Sequence, residues 1–364
     1  LLPIPMTWHL SEIITPNGHN IEFKYQEMPF QINGNMSFNI ATEALFKYAV
    51  VNYNYELIVP VQLSEVIDKT ESKQLISLNY GPSTQHPYDS QYAWLTAMDK
   101  GLVTFFTQQK DFTLHQLNSL SVLERIKYEF SYTDQSNERL KLEKISRVSE
   151  SGNKSTHYFN YYLQRLPGYC TGHYDNLGFY NGKDFSYYFS NDFFCNARDK
   201  DKQISEGLKY TKDRLGDASG KYVTAEMLKT IFYPTGGYTE FIYEPNIISS
   251  MVSVDRKKLH PAHLPYPNTP DYTYPGGVRI KQIDNYNQSN DLLTRKHYYY
   301  TTDFSPEKRD GKSSGILSFT PQYLWGFELY NMLNASNQYN EYISYSAIIS
   351  QSSNPLWYSS RGEF

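Results

Sequence analysis

Apolar and polar side chains alternate over short stretches of the chain, a pattern that indicates β-strands with one buried face. In one such stretch Ile21, Phe23 and Tyr25 alternate with polar neighbours, and Pro16 and Gly18 stand just before it. Proline sets φ for the second residue of a tight turn, and glycine takes the left-handed conformation of a bulged hairpin loop. The pattern therefore predicts a β-hairpin.

The same pattern occurs again far along the chain. Leu10–Tyr25, LSEIITPNGHNIEFKY, aligns without a gap with Leu228–Tyr243, LKTIFYPTGGYTEFIY. Leucine, isoleucine, proline, glycine, glutamate, phenylalanine and tyrosine recur at matching places. The residues predicted to form the turns are Pro16, Gly18, Pro234, Gly236 and Gly237.

Less regular copies of this unit occur along much of the chain, which predicts a mainly β repeat architecture. The predicted hairpin units lie at residues 10–25, 63–80, 95–106, 117–132, 142–161, 228–243 and 280–300. The alternative is that these are the unrelated hairpins of any β protein. We favour repeats of one ancestral unit, because unrelated hairpins need not share proline, glycine and aromatic residues in an alignment without gaps.

Insertions interrupt the array at residues 26–60, 165–222 and 256–275. We expect the first to hold extra strands or a short helix. The polar end of the second predicts an exposed loop with a helical turn. The third is rich in proline and predicts an extended surface loop.

Composition narrows the class of protein. Among 364 residues there are 35 Tyr and 20 Phe, which favour pleated, half-buried surfaces over helices. The net charge is −4, with both signs mixed along the chain and no basic stripe, so we expect no nucleic-acid partner. No apolar run has the ~20 residues of a membrane helix. The N-terminal sequence LLPIPMTWHL has no initiator Met and no signal-peptide layout, so we expect a piece of a longer protein.

The segment Phe130–Ile145, FSYTDQSNERLKLEKI, resembles the YD-repeat pattern of Rhs-type proteins. Tyr132 and Asp134 correspond to its Tyr-Asp, and Arg139-Leu140 to its Arg-Leu. Three further stretches resemble large Rhs-like proteins of Gram-negative bacterial envelopes: residues 166–183 (LPGY…DNLGFYNGK), 233–246 (YPTGGYTEFIYEPN) and 276–283 (GGVRIKQI).

That resemblance implies a fold. Tandem YD-like β-hairpins would form a long curled antiparallel sheet or a partial β-shell, with loop-rich insertions. The chain carries neither the family's core-boundary motif nor a cargo domain. Toxin encapsulation and self-cleavage are therefore not expected of it.

Candidate chemistry is sparse. The chain has no nucleophile elbow, P-loop, dinucleotide-binding turn, HExxH or CxxC motif, so we predict no catalytic residue and no cofactor. His260 and His263 form an HxxH inside the third insertion but lack a third ligand, so we predict no metal site. Two of the three acids Asp175, Asp184 and Asp192 could converge as the paired carboxylates of a glycoside hydrolase, although solvated loop acids are the simpler interpretation.

The second insertion is rich in tyrosine, and two interpretations are open. Aromatic faces next to amides suit a sugar-binding surface, whereas the same rings could cover the sheet as a small core. The candidate binding residues are Tyr169, Tyr174, Tyr180, Tyr187 and Tyr188. Cys170 and Cys195 lie in the same insertion and are either a disulfide or two packed thiols.

These observations favour a structural β-repeat segment of a secreted or outer-surface Rhs-like protein, without catalytic activity of its own. Its main partner would be the remainder of the parent protein. The alternative is an adhesin module that binds a carbohydrate or a surface protein through the tyrosine-rich insertion, and a glycoside hydrolase is a remote third possibility.

Overall fold

The computed structural model describes residues 7–29, 31–41, 48–85, 113–135, 139–168, 173–189, 192, 200–252, 257–262, 271–309, 311–318, 324–333 and 339–347. The predicted unit at 95–106 lies outside these residues, as do Tyr169, Cys170, Cys195 and His263.

Strands dominate the described chain, as the alternation predicts. In chain order they are β1 (Glu12–Ile14), β2 (Asn20–Glu27), β3 (Gln31–Ala41), β4 (Tyr48–Ile58), β5 (Val61–Asp68), β6 (Lys73–Pro82), β7 (His115–Val122), β8 (Ile126–Thr133), β9 (Lys141–Val148), β10 (Lys154–Tyr161), β11 (Leu228–Phe232), β12 (Tyr238–Pro245), β13 (Ser250–Val252), β14 (Leu259–Pro261), β15 (Val278–Tyr286), β16 (Leu292–His297), β17 (Ile316–Leu317), β18 (Leu324–Leu333) and β19 (Tyr339–Ala347). The helical elements are α1 (Lys200–Asp213) and a 3₁₀ turn, Ser186–Phe189.

The largest sheet has 12 strands in the order β1-β2-β5-β6-β7-β8-β9-β10-β11-β12-β15-β16. All neighbours in it are antiparallel, and their order in space follows their order in the chain. The prediction of a mainly β protein with an antiparallel sheet is confirmed. Many strand positions are only half-buried, and β7 is half-buried throughout.

The turns of the two matched segments have the same backbone. The N–H of Gly18 donates to the carbonyl of Thr15, and the N–H of Thr15 donates to His19. The turn at residues 233–237 makes the same two bonds. Gly18 has φ 84° and Gly236 has φ 90°, in the left-handed region that favours glycine. Turns at residues 149–153 and 287–291 repeat these bonds.

A tyrosine at the end of each hairpin bonds back to the start of the same hairpin. Its hydroxyl donates to the main-chain carbonyl of a leucine or isoleucine over 2.6–3.2 Å. We call this contact the tyrosine clasp. The pairs are Tyr25 with Leu10, Tyr80 with Leu63, Tyr132 with Leu117, Tyr161 with Leu142, Tyr243 with Leu228, and Tyr300 with Ile280.

The clasp tyrosine also determines how one hairpin joins the next. In each junction it pairs with the leucine or isoleucine that begins the following unit, and the register shifts by a bulge immediately before it. The pairs are Tyr25 with Leu63, Tyr80 with Leu117, Tyr132 with Leu142, Tyr161 with Leu228, and Tyr243 with Ile280.

The insertions add structure of their own. The first supplies β3 and β4, which form a four-stranded sheet with β18 and β19, in the order β18-β19-β3-β4. The third contributes β14 to a small sheet with β13 and β17. Ala262 and Tyr272, at the ends of its described parts, are buried in a small apolar core with Met251.

The expectation of a loop with a single helical turn at the end of the second insertion is wrong. That segment forms α1, and Tyr210 on this helix is only 1% exposed. Among the described side chains of this helix, Tyr210 and Thr211 near its end are buried, whereas Lys202, Ser205, Lys209 and Lys212 are exposed. None of the described helices is long and apolar enough to cross a membrane.

Candidate functional site

The second insertion folds around a small aromatic core. The rings of Phe185 and Tyr188 lie 5.7 Å apart, and each also packs against Tyr210, at 5.9 and 4.7 Å between centroids. The hydroxyl of Tyr188 donates to Asp213 at the end of α1 over 2.6 Å. Burial raises the pKa of Tyr188, and the Asp213 carboxylate raises it further, so this hydroxyl remains a donor. The core fixes α1 against the loop that precedes it.

The candidate binding tyrosines have different environments. Tyr188 is 1% exposed and offers no face to a ligand. Tyr187 donates to Glu206 over 2.9 Å, and the Lys209 ammonium lies 3.9 Å from its ring centroid. The other two described members, Tyr174 and Tyr180, line one cavity. The described rings therefore do not form one exposed platform.

Asp175, which was considered above as a catalytic acid, joins two distant segments. Its carboxylate is fully buried and accepts backbone N–H groups from Leu177, Phe179 and Gly277 over 2.7–3.0 Å. A side chain at Gly276 could not fit, because a Cβ there would lie 2.5 Å from the Asp175 carboxyl carbon. Asp175 thus fastens the 173–182 loop to the start of β15.

Three stretches that lie far apart in the sequence, residues 166–183, 233–246 and 276–283, meet at this junction. Asp175 belongs to the LPGY…DNLGFYNGK stretch, and Gly277 to the GGVRIKQI stretch. Asn246, which ends YPTGGYTEFIYEPN, donates its side-chain N–H to Gly276 over 3.0 Å. Its own N–H donates to Gly277. Segments far apart in sequence therefore share one hydrogen-bonded junction.

Burial dominates the electrostatics of the junction. It raises the pKa of Asp175 to about 6, while the three backbone N–H groups and the Arg214 guanidinium act in the opposite direction. Arg214 stacks over Tyr174, with 4.0 Å between the guanidinium and the ring centroid.

The remaining acids of the insertion have other surroundings. Asp184 lies 3.4 Å from His173, and its side chain is 73% exposed. Burial lowers the pKa of His173, although Asp184 opposes the effect, so the imidazole is neutral at pH 7. Asp192 is exposed. Of the HxxH pair, His260 is exposed on β14.

Sequence reasoning missed one cluster with metal-ligand chemistry. His19, Asp68 and Glu71 bring potential ligand atoms within 4.8 Å of one another. Asp68 already accepts the N–H groups of Thr70 and Glu71, which lowers its pKa. A long insertion separates His19 from Asp68, so no local motif could indicate this cluster.

A cavity of about 340 Å³ lies beside the junction. Its wall is mostly apolar and combines the 173–180 loop, the 166–167 segment and the turn before β11. The lining residues are Arg139, Leu166, Pro167, His173, Tyr174, Gly178, Phe179, Tyr180, Val223, Ala225, Glu226 and Met227.

Glu226 is the acidic residue of this cavity, and its environment is unusual. Its side chain is 4% exposed, and one carboxylate oxygen, Oε1, lies 3.1 Å from the Lys141 ammonium. The other oxygen, Oε2, is buried and has no hydrogen-bond partner in the described part of the chain. The backbone of Glu226 has φ 53°, a left-handed conformation that is uncommon for a residue with a side chain. Nothing in the surrounding sequence, TAEML, indicates this role.

Comparison with known proteins adds little. No family model matches the chain, and no curated protein matches it. Among solved structures, a porin-like protein from Bacteroides uniformis aligns with 93% of this chain and 95% of its own, at 7% identity. Its TM-score is 0.16, which is too low to carry an argument about fold or function.

Proposed function

We propose that the chain is a structural β-repeat segment of a larger, secreted or surface-exposed protein of the Rhs-like kind, without catalytic activity of its own. The observation that carries this proposal is the tyrosine clasp, which recurs with the same bulged junction from one hairpin to the next. This hydrogen bond holds one hairpin in the register that the next hairpin requires, which is a structural role. It brings no reactive side chain into a cleft.

The first edge of the sheet also supports a larger parent. In the first unit Leu10, Ile13 and Ile14 are 54%, 42% and 67% exposed. At the position of Ile13, the other units carry apolar residues that are buried or half-buried, such as Val66 at 6%. The edge of β1 is therefore an apolar surface of the type that a neighbouring hairpin covers elsewhere in the sheet.

The alternative of a glycan- or protein-binding adhesin has less support. A stacking platform needs several accessible rings on one surface, whereas Tyr188 is in the core and Tyr187 is engaged by Glu206 and Lys209. The hydrolase alternative is also weakened, since the Asp175 carboxylate serves three backbone N–H groups.

The surface location is tested on intact cells of the source organism. An epitope tag inserted in the parent protein after Arg309, in an exposed stretch, should bind antibody on intact cells and be removed by added protease. A cytoplasmic protein is the control for cell integrity. Tag that is reached only after the cells are permeabilised would contradict the proposed location.

A further inference from the structure

The cavity beside the Asp175 junction has the size and lining of a small-molecule site. Ligand pockets begin at roughly 300 Å³ and combine apolar walls with a few polar groups. Here Phe179, Val223 and Met227 supply apolar wall, and Tyr180 supplies an aromatic face. A ligand in this cavity would leave the hydrogen bonds of the Asp175 junction in place.

The unsatisfied oxygen of Glu226 shows what such a ligand would have to supply. A buried carboxylate oxygen without a hydrogen-bond donor lowers the stability of the folded chain, because it gives up its hydrogen bonds to water and forms none in the protein. Glu226 lines the cavity, and the terminal torsion of glutamate is broad and two-fold, so rotation about this bond is the movement by which Oε2 would reach a ligand there. A ligand donor that reaches it would relieve the cost.

The charges around Glu226 favour a neutral donor over a cation. Lys141 already neutralises the carboxylate at 3.1 Å, and the Arg139 guanidinium lines the same cavity. The Arg139 side chain donates to the carbonyls of Pro167 and Gly168, which holds its positive charge in place. A ligand ammonium that reached Glu226 would therefore lie close to the Lys141 ammonium, which repels it.

The strained backbone at Glu226 is consistent with a functional position. Left-handed φ costs about 1 kcal/mol or more for a residue with a side chain, and it persists where surrounding contacts impose it. The N–H of Glu226 donates to Gln164 on the other side of the insertion, which fixes this conformation. The result is a carboxylate held at the wall of an apolar cavity.

We propose that this cavity binds a small, neutral, ring-containing molecule through one hydroxyl or N–H donor to Glu226. The apolar walls contact the ring, and the carboxylate accepts the donor. The inference goes beyond a structural role and does not depend on it.

Three probes of similar size test the donor preference on the full chain. Indole has a ring and a single N–H donor, benzothiophene has the same shape without the donor, and benzylamine is a cation at neutral pH. Dissociation constants are measured by NMR titration. Indole should bind about tenfold or more tightly than benzothiophene, since a hydrogen bond to a charged acceptor is at stake. Benzylamine should bind more weakly than indole.

Two variants locate the site. Glu226→Gln keeps an oxygen for Lys141 but presents an amide donor to the cavity, so the preference for indole over benzothiophene should disappear. Ala225→Leu fills the cavity without changing its charges and should weaken binding of both probes. Tyr158→Phe, on β10 and outside the cavity lining, should bind like the wild type, and thermal unfolding checks that each variant folds.

The outcomes separate the proposal from non-specific binding. Equal affinity of the wild type for indole and benzothiophene, or no saturable binding of either, would overturn it. Unchanged indole affinity in folded Ala225→Leu would do the same. If Ala225→Leu does not fold, Glu226→Gln still decides the question, because an unchanged preference of this variant for indole would overturn the proposal.

Discussion

The hydroxyls of the clasp tyrosines each donate to a main-chain carbonyl. Burial raises the pKa of Tyr243 to about 12 and raises that of Tyr161 as well, so both groups stay protonated at neutral pH. Each donates to a carbonyl whose strand has just been displaced by a bulge. The clasp satisfies a main-chain acceptor at a point where the regular ladder is interrupted.

Removing one clasp should cost a defined amount of stability. Tyr161→Phe deletes the 2.6 Å bond to the Leu142 carbonyl and leaves that acceptor without this donor. We expect the free energy of unfolding in urea to fall by about 1 kcal/mol. Tyr158→Phe, on the same strand with a 50% exposed ring, is the matched control and should change little. Equal losses in the two variants would mean that the clasp contributes nothing specific.

Asp175 should make stability depend on pH. Its pKa is raised from 3.8 to about 6 in the folded chain, so the folded state binds this proton more tightly than the unfolded state. The contribution is complete below pH 3.8 and is lost as pH rises through about 6. The stability advantage of the wild type over Asp175→Asn should therefore shrink by about 2 kcal/mol between pH 4 and pH 7. Urea unfolding at both pH values measures this, and an advantage that grows with pH would contradict it.

At the scale of the element, hairpin turns with the same backbone differ in their surroundings. A Cβ on Gly18 would meet nothing within 4 Å, whereas a Cβ on Gly236 would lie 2.8 Å from the Gln288 side chain. Both glycines have left-handed φ, so each pays the conformational cost of an added side chain.

The two glycines therefore predict a graded result. Gly18→Ala should lower the unfolding free energy by about 1 kcal/mol, and Gly236→Ala should lower it further. Replacing Gln288 with Ala in the Gly236→Ala chain should bring the loss back toward that of Gly18→Ala. Thermal or urea unfolding of these variants gives the comparison, and a Gly236→Ala chain as stable as the wild type would refute the turn geometry.

The strands and turns could be read from the sequence because their causes are local. Alternating side chains, proline and a left-handed glycine act within a few residues, and Tyr25 and Tyr243 were already visible as matched positions. The hydrogen bonds of those tyrosines were not predictable, since a register bulge determines which carbonyl each hydroxyl reaches. The helix α1 was missed because its segment is polar overall, and because its Tyr210 is buried by contacts with Phe185 and Tyr188, which precede the helix in the chain.

The candidate site depends on contacts between distant segments, and the sequence carries little information about such contacts. Asp175 meets Gly277 across a hundred residues of chain, so its structural role could not be separated in advance from an acid–base role. Glu226 stands in an ordinary stretch without a motif. Its left-handed backbone and unused oxygen are visible only once the insertion has folded.

At the scale of the whole molecule, the account rests on continuation of one sheet by repeated clasped hairpins. The interior junctions all use the same pairing of tyrosine with the next leucine or isoleucine. Leu10 occupies the corresponding position in the first unit and is exposed, since no described strand lies on the outer side of β1. A further hairpin that ends in a clasp tyrosine should therefore pair with β1.

The most direct measurement adds that hairpin. Residues 115–140, a complete unit with its own connector to the next one, are duplicated in front of His9, so that the added tyrosine stands opposite Leu10. Hydrogen–deuterium exchange then compares the amides of β1 with and without the addition. Pairing predicts slower exchange in β1 and in the added strands, and the slowing should be lost when the added tyrosine is replaced by glutamate. Unchanged exchange in β1, with the added residues exchanging as an unfolded chain, would contradict the central claim that these hairpins are interchangeable units of one sheet.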